Sequence, residues 1–304
     1  MALVLNGLFP VFALLVLGRL LRRFEMTTAA FLATSDRLIY FIFFPAMLFW
    51  KIGGARTDAG IPADLVLASV AAILTLYAVS TLYIRLAVGN FEAGSFSQSC
   101  YRFNTYIGMA IIVNALGDEG VRLFGLLVGI VIPLINVLAV STLIWFSGRE
   151  VTGRERFRLT LRALISNPLI LACLAGLLYA RTINMFPSFV DRALGLASSA
   201  TLPLALLSIG GALTLDNLRG HLGLSVIAAG FKLVIFPLVG YGFLRLFGVT
   251  GTAFHVGMIF FALPTSTAIY VLSSQLNSNT ELASAAVVMS TLLSFVSLTL
   301  VLTL

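Results

Sequence analysis

Apolar residues occur along this chain in nearly continuous runs of about twenty, separated by short polar or charged segments. A transmembrane helix needs about 20 predominantly apolar residues, whereas the strands of a membrane barrel alternate in polarity over about ten. The pattern therefore predicts an all-α integral membrane protein with ten transmembrane helices, and the open alternative is nine or eleven with one segment miscounted. The predicted spans cover residues 2–21, 31–51, 62–85, 95–116, 121–147, 163–181, 187–213, 221–247, 252–275 and 281–303.

The composition supports a membrane location, since 60% of the residues are hydrophobic and only 10% are charged. Soluble domains carry about 25% charged residues. Apart from Arg102 and Lys232, the basic residues behind the net charge of +7 lie between the predicted spans or near their ends. They are not interleaved with aromatic residues, so we expect contact with membrane lipids and no nucleic-acid partner. If the N-terminus is outside, the inner connectors hold ten basic residues and the outer ones five. The positive-inside rule therefore predicts that both termini lie outside.

The two halves of the chain resemble each other. A basic connector at residues 149–162, predicted to be cytoplasmic, separates a first repeat (1–148) from a second (163–304). Each repeat has five predicted spans, and because five is odd the second must insert upside down. Inverted repeats are typical of secondary transporters. The features that match in the same order are Asn6 with Asn167-Pro168, Asp36-Arg37 with Asp191-Arg192, Pro45…Gly53-Gly54 with Pro203…Gly210-Gly211, Arg85 with Arg245, and Asn104 with Pro264.

The ninth predicted span has a proline near its centre, Pro264, followed by Thr265, Ser266 and Thr267. Proline removes a backbone N–H and clashes with the carbonyl four residues earlier. In hydrocarbon, each freed polar group costs several kcal/mol unless it finds a partner. Two interpretations are open: the hydroxyl groups repair a proline kink, or the break forms a transport site.

The fourth predicted span, the counterpart of the ninth, is unusual as well, because Asn104 and Thr105 enter an apolar stretch and Gly108 follows. Broken helices at matching positions of two inverted repeats predict a transport site. Each break exposes a half-helix N-terminus with a partial positive charge, and two such ends favour an anion. The free carbonyl groups of the opposite half-helices favour a cation or a polar donor.

Two basic residues lie within predicted spans. Lys232 is in the middle of span eight, where a lysine costs about 2.5–3.5 kcal/mol, so we expect it to face the protein interior. It would either neutralise carbonyl ends at the break or bind a substrate carboxylate. Arg102 lies nearer a span end, where it would either extend to the interface or receive a carboxylate beside Asn104.

The sequence lacks the residues that several classes of activity need. No carboxylate occurs in the central portions of spans three, four, five, eight, nine and ten, so the buried acid of a proton antiporter is not evident. The sequence has no HExxH, CxxC or GxxxxGK[ST] motif, so we expect no metal, no cofactor and no ATP hydrolysis. The spans also lack a nucleophile with its base, and we therefore expect that the chain is not an enzyme.

These residues together resemble the auxin efflux carrier family of membrane transporters, in its bacterial-length form. The resemblance covers nearly the whole chain and rests on the order and spacing of its motifs. The matching stretches are Asn167-Pro168-Leu169-Ile170, Leu207-Ser208-Ile209-Gly210-Gly211, Phe231-Lys232-Leu233-Val234 with Pro237, Arg102-Phe103-Asn104 with Gly108, and Pro264-Thr265-Ser266 with Tyr270-Val271-Leu272.

The resemblance implies an inverted repeat in which helices 4 and 9 are broken and cross, a plan shared with bile-acid/sodium symporters. It implies a scaffold of helices 1, 2, 6 and 7, often a homodimer interface, and a moving transport domain of helices 3–5 and 8–10. Alternating access would be elevator-like, in the cytoplasmic membrane. The substrates would be organic anions, dicarboxylates in bacteria and auxin in plants. Family members often carry a proline at the break in span four, so here we expect the break to rest on Gly108 and the Asn104 side chain.

The sequence thus predicts a secondary transporter of a small organic anion, a carboxylate. The alternatives are a sodium-coupled symporter of the bile-acid type, whose binding would depend on sodium, and a non-transporting receptor or assembly subunit, which would not need two matching breaks. The candidate substrate-binding residues are Arg102, Asn104, Thr105, Gly108, Lys232, Pro264, Thr265, Ser266 and Thr267.

Overall fold

The computed structural model describes residues 2–54, 62–146, 154, 158, 161, 167–183, 185–213, 218 and 220–303, with side chains from Asn6 onward. Most of the predicted connector 149–162 lies outside these residues. The described part consists of helices, turns and short connectors and contains no strand. The helices are α1 (Ala2–Arg23), α2 (Ala29–Leu38), α3 (Phe44–Gly53), α4 (Ala63–Ala87), α5 (Asn90–Tyr101), α6 (Thr105–Phe146), α7 (Pro168–Thr182), α8 (Ser188–Ala212), α9 (Leu222–Gly230), α10 (Phe236–Leu246), α11 (Gly251–Ala262), α12 (Ala268–Gln275) and α13 (Thr280–Leu302).

Several helical stretches are long and apolar enough to cross a membrane, which confirms the prediction of an all-α, multi-pass membrane protein. The count of ten spans and the inverted repeat stay predictions. In the described part, six stretches meet the length requirement, namely Ala29–Gly53, Ala63–Ala87, Asn90–Phe146, Ser188–Ala212, Leu222–Leu246 and Thr280–Leu302, and Pro168–Thr182 and Gly251–Ala262 are shorter apolar helices.

Two of these stretches contain a π-helical turn just before a proline. The turns Ile39–Phe43 and Phe231–Ile235 precede Pro45 and Pro237, and the residue after each turn donates its N–H to the carbonyl five residues earlier. A proline in a regular helix clashes with the carbonyl four residues earlier and offers it no N–H. The wider turn relieves both problems and keeps the helix continuous. Lys232 lies in the second of these turns.

Two other stretches are broken, as the sequence predicts for spans four and nine. Between α5 and α6, residues 102–104 are not helical, and between α11 and α12 the break covers residues 263–267. The first break ends at Asn104, whereas Gly108 lies inside α6 with its N–H bonded to the Asn104 carbonyl. The expectation that Gly108 helps to make the break was wrong, because the Asn104 side chain caps α6 and ends the break there. A separate kink in α6 occurs at Gly117, whose φ of 62° is accessible to glycine.

The chain forms two compact units, of which the first comprises Met1–Pro62, Met109–Ile130 and Ile165–Ala212. In this unit α1 and α8 approach so closely that a Cβ on Gly210 would collide with the Leu15 carbonyl oxygen. Helices α3 and α7 also approach closely, though less tightly, since a Cβ on Gly176 would lie 3.3 Å from the Phe49 carbonyl oxygen and one on Gly53 would lie 3.6 Å from the Gly176 carbonyl oxygen. Small residues allow such close approach in membrane helices, where packing rather than the hydrophobic effect drives association.

The second unit comprises Ala63–Gly108, Val131–Leu164 and Leu213–Leu304, and it contains both breaks. Its core is aromatic around α11, where Phe236, Phe260 and Phe261 are fully buried and their rings meet edge to face. A second aromatic group joins α4, α5 and the π-helical turn through Tyr83 and Phe96. These contacts fix α4 and α5 against the segment that carries Lys232.

Candidate functional site

The break between α11 and α12 frees backbone groups, and side chains from other helices satisfy them. The Phe261 carbonyl accepts a hydrogen bond from Lys232 Nζ at 3.0 Å. The Ala262 carbonyl accepts from Ser297 Oγ at 3.1 Å. The N–H of Thr265 donates to Ser290 Oγ at 3.1 Å. Since each freed group would otherwise cost several kcal/mol in hydrocarbon, α13 and Lys232 stabilise the break.

The two breaks contact each other directly. The N–H of Asn104 donates to the Pro264 carbonyl oxygen, with an N···O distance of 2.9 Å. Thr265 Oγ1 donates to the carbonyl oxygen of Ser99, near the end of α5, at 2.8 Å. Both bonds lie in the buried interior of the second unit. Two segments far apart in sequence therefore form one polar site.

The Asn104 side chain caps the second half-helix of the first break. Its Oδ1 accepts hydrogen bonds from the backbone N–H groups of Tyr106 and Ile107, both at 3.1 Å. These two donors fix the orientation of the amide, because only the oxygen can accept them. The Nδ2 group must then point away from α6.

Asn104 Nδ2 is buried and has no hydrogen-bond partner among the described residues. The residue is only 1% exposed, and the other buried side-chain atoms without a partner in this part of the chain are hydroxyl oxygens. A buried N–H donor that is left without a hydrogen-bond acceptor costs about 1–3 kcal/mol of stability. An unused donor of this kind, at the meeting point of two helix breaks, is available to a group with acceptor oxygens.

Three other polar residues at the two breaks are less buried than Asn104. Thr105 begins α6 and is half-buried, and Thr267 directly precedes α12 and is also half-buried. Ser266 is half-buried, and its Oγ accepts a hydrogen bond from the N–H of Ala268 at 3.3 Å. Helices α6 and α12 thus begin at the two breaks, and the N-terminus of each carries a partial positive charge.

Arg102 is buried at the end of α5 and is oriented by two side-chain amides. Its Nη1 donates to Gln98 Oε1 at 3.1 Å, and its Nη2 donates to Asn136 Oδ1 at 3.0 Å. Both of these acceptors are neutral amide oxygens, and they orient the guanidinium group. The prediction that Arg102 receives a carboxylate stays a prediction.

A buried group of hydroxyl side chains joins α5 to α12 and to the start of α13. Ser95 Oγ lies 2.8 Å from Ser273 Oγ, 3.0 Å from Ser278 Oγ and 2.7 Å from the Asn279 carbonyl oxygen. Gln98, which orients Arg102, lies 3.5 Å from Ser273 Oγ through its Nε2. This network ties the half-helix before the first break to the half-helix after the second.

Several residues that build the site were not predicted from the sequence. Ser290, Ser294 and Ser297 recur at spacings of four and three residues, so they share one face of α13. This spacing could have predicted from the sequence that one helix face supplies polar partners to an interrupted neighbouring helix. Gln98 and Asn136 gave no such signal, because their contact with Arg102 depends on tertiary packing.

Comparison with known proteins identifies the family. A family model described as "Membrane transport protein" matches residues 3–302. The chain belongs to this family, that of the auxin efflux carriers. The resemblance seen in the sequence is thereby confirmed.

Two relatives align over almost their whole length. An "Uncharacterized transporter" of Methanothermobacter thermautotrophicus is 24% identical over 295 residues, which is 95% of this chain and 94% of the relative. A "Putative malonate transporter" of Rhizobium meliloti is 24% identical over 307 residues, 98% of this chain and 95% of the relative. As a member of a family of membrane transport proteins, the chain is a membrane transporter rather than an enzyme.

Proposed function

We propose that this auxin efflux carrier family member moves a small organic anion, a carboxylate, across the cytoplasmic membrane. The observation that carries this proposal is the buried amide group of Asn104, which offers two N–H donors and has no protein acceptor in the described part of the chain. A carboxylate is acceptor-only and would satisfy such a donor. The relative described as a malonate transporter supports the same class of substrate.

The electrostatics of the two breaks favour an anion. The N-termini of α6 and α12 contribute partial positive charge, and the guanidinium group of Arg102 lies two residues before Asn104. The remaining proposed lining residues come from the two break segments and the first turns after them. They are Thr105, Gly108, Pro264, Thr265, Ser266 and Thr267.

We further propose ten spans arranged as two inverted repeats. Within the first unit, Gly210 on α8 packs over the carbonyl of Leu15, and Gly53 on α3 packs over the carbonyl of Gly176. Gly210 and Gly53 are matching positions in the sequence, and Leu15 and Gly176 each follow an asparagine by nine residues. Contacts between the same pair of matching positions are what an internal repeat produces, and although the second contact is looser than the first, the pairing supports the proposal.

The transport mechanism in this proposal is elevator-type alternating access, with both chain termini outside. The first unit includes the described parts of predicted spans one, two, six and seven, and the second includes both breaks. This division supports a scaffold and a transport domain, the scaffold forming a homodimer. Residues 109–130 depart from this scheme, because they include parts of predicted spans four and five of the transport domain but belong to the first unit.

Transport assays on Asn104 variants test the substrate assignment. Asn104→Ser keeps a hydroxyl that can cap α6 but removes the amide donors, whereas Asn104→Ala removes both. In proteoliposomes under an imposed membrane potential, we expect flux of labelled malonate, malate or indole-3-acetate for the wild type. We expect at least tenfold less for Asn104→Ser, at nearly unchanged thermal stability. Normal flux by Asn104→Ser would refute the assignment, and a wild type that binds but never transports would favour a receptor.

A further inference from the structure

Lys232 occupies a site that its surroundings make suitable for a cation. The side chain is 0% exposed, and its Nζ donates to the Phe261 carbonyl oxygen at 3.0 Å. The same nitrogen lies 4.5 Å from the centroid of the Phe236 ring, on the face that attracts cations. A carbonyl oxygen and an aromatic face are both complementary to positive charge.

The Phe261 carbonyl belongs to the last turn of α11, where helical carbonyl groups lose their intrahelical partners. The C-terminal end of a helix carries a partial negative charge of about half an electron. In transporters with discontinuous helices, such carbonyl ends coordinate the coupling sodium ion or proton. In this protein, a lysine side chain reaches one of them instead.

The two breaks differ at their carbonyl ends. At the end of α5, the carbonyl of Ser99 accepts a hydrogen bond from the neutral hydroxyl group of Thr265. At the end of α11, the carbonyl of Ala262 also accepts from a neutral hydroxyl group, that of Ser297, but the carbonyl of Phe261 accepts from the Lys232 side chain. The amide of Asn104 and the N-termini of α6 and α12, by contrast, are complementary to the anion of the proposed function, which the carbonyl end of α11 would repel. Lys232 is therefore positioned to bind the C-terminal end of α11 rather than the substrate.

We propose that Lys232 is a covalently attached counter-cation for the C-terminal end of α11 and replaces a coupling sodium ion at that position. The proposal deepens the proposed function, on which its transport test rests. It implies that the carrier runs without sodium, unlike a symporter of the bile-acid type. It also implies that removing the ammonium group while leaving its space open creates a sodium site.

Matched substitutions separate the charge of Lys232 from its volume. Lys232→Ser removes the ammonium group, leaves space and adds an oxygen ligand, whereas Lys232→Met removes the charge but fills the space. We would measure the thermal unfolding midpoint of each purified protein in sodium chloride and in N-methyl-D-glucamine chloride at equal ionic strength. Sodium should raise the midpoint of Lys232→Ser by about 3 °C and leave wild type and Lys232→Met unchanged.

Transport gives a second readout. We expect wild-type flux in proteoliposomes to be equal with and without sodium, and flux by Lys232→Ser to rise at least fivefold when sodium is added. Sodium stabilisation of the wild type, or sodium stimulation that persists in Lys232→Met, would overturn the proposal. So would a Lys232→Ser protein that is stable and active but indifferent to sodium.

The outcomes also distinguish this proposal from the substrate assignment. A sodium-dependent midpoint in Lys232→Ser without organic-anion flux in any variant would refute the substrate class and retain the role of Lys232. Normal flux without a sodium response in Lys232→Ser would do the reverse. If Lys232→Ser does not fold, the wild type decides alone, since a sodium-induced rise of its midpoint contradicts the proposal.

Discussion

The backbone N–H of Asn104 donates to the Pro264 carbonyl oxygen across 2.9 Å, and this bond joins the two breaks of the second unit. A residue at each break thereby satisfies a group at the other, which neither could do within its own helix. The same Asn104 caps α6 with its side-chain oxygen and retains an unused amide donor. One residue thus links the structure of the break to the proposed binding of substrate.

Thr265 should contribute to stability through its hydroxyl group. Thr265→Val keeps the shape of the side chain but leaves the buried carbonyl of Ser99 without the hydroxyl donor it has now. The loss should destabilise the protein by about 1–3 kcal/mol, which chemical denaturation of the protein in detergent micelles can measure. Thr265→Ser retains the donor and serves as the control. Equal stability of the two variants would show that the hydroxyl group does not stabilise the break.

Ser290 should support the break from α13. Ser290→Ala removes the acceptor of the Thr265 N–H and should lower stability by about 1–3 kcal/mol. The matched control is Thr299→Ala on the same helix, whose hydroxyl bonds only to its own helix and is exposed, so a change within about 0.5 kcal/mol is expected. If both substitutions have the same effect, the hydrogen bond to Thr265 is not the cause.

The positions of the breaks could be predicted from the sequence because their causes are local. Pro264 cannot continue a helix, and the polar residues from Arg102 to Thr105 interrupt an apolar run. The role of Gly108 was mispredicted, since an asparagine side chain is enough to cap the second half-helix. The partners of the freed groups, such as Ser297 for Ala262, could not be derived, because they depend on how helices distant in sequence pack.

The unused donor of Asn104 could not be derived either. Sequence shows that an asparagine is present, but only the two backbone N–H groups on its oxygen determine where the nitrogen points. Similarly, sequence leaves two roles open for Lys232, and its hydrogen bond to a helix-end carbonyl favours one of them. Local pattern therefore predicted the region of the site, and tertiary contacts determine its chemistry.

Gly210 should be intolerant of a side chain. Gly210→Ala places a methyl group against the Leu15 carbonyl, so α1 and α8 must separate, and we expect destabilisation of more than about 2 kcal/mol. Gly242→Ala on α10 meets no neighbouring atom within 4 Å and should stabilise its helix by about 0.5–1 kcal/mol. Thermal unfolding midpoints of the two variants should shift in opposite directions. A neutral Gly210→Ala would contradict the close packing of these two helices.

Arg102 should affect substrate affinity more than folding. The planar guanidinium group donates separately to Gln98 and Asn136, a fork that lysine cannot reproduce. Arg102→Lys keeps the charge but loses this orientation, so we expect the KM for organic-anion uptake to rise about tenfold, equivalent to about 1.4 kcal/mol. Arg85→Lys, at the exposed end of α4, should change the KM less than twofold. Uptake kinetics in proteoliposomes measure both, and an unchanged KM in Arg102→Lys would mean that an oriented guanidinium group is not part of the anion site.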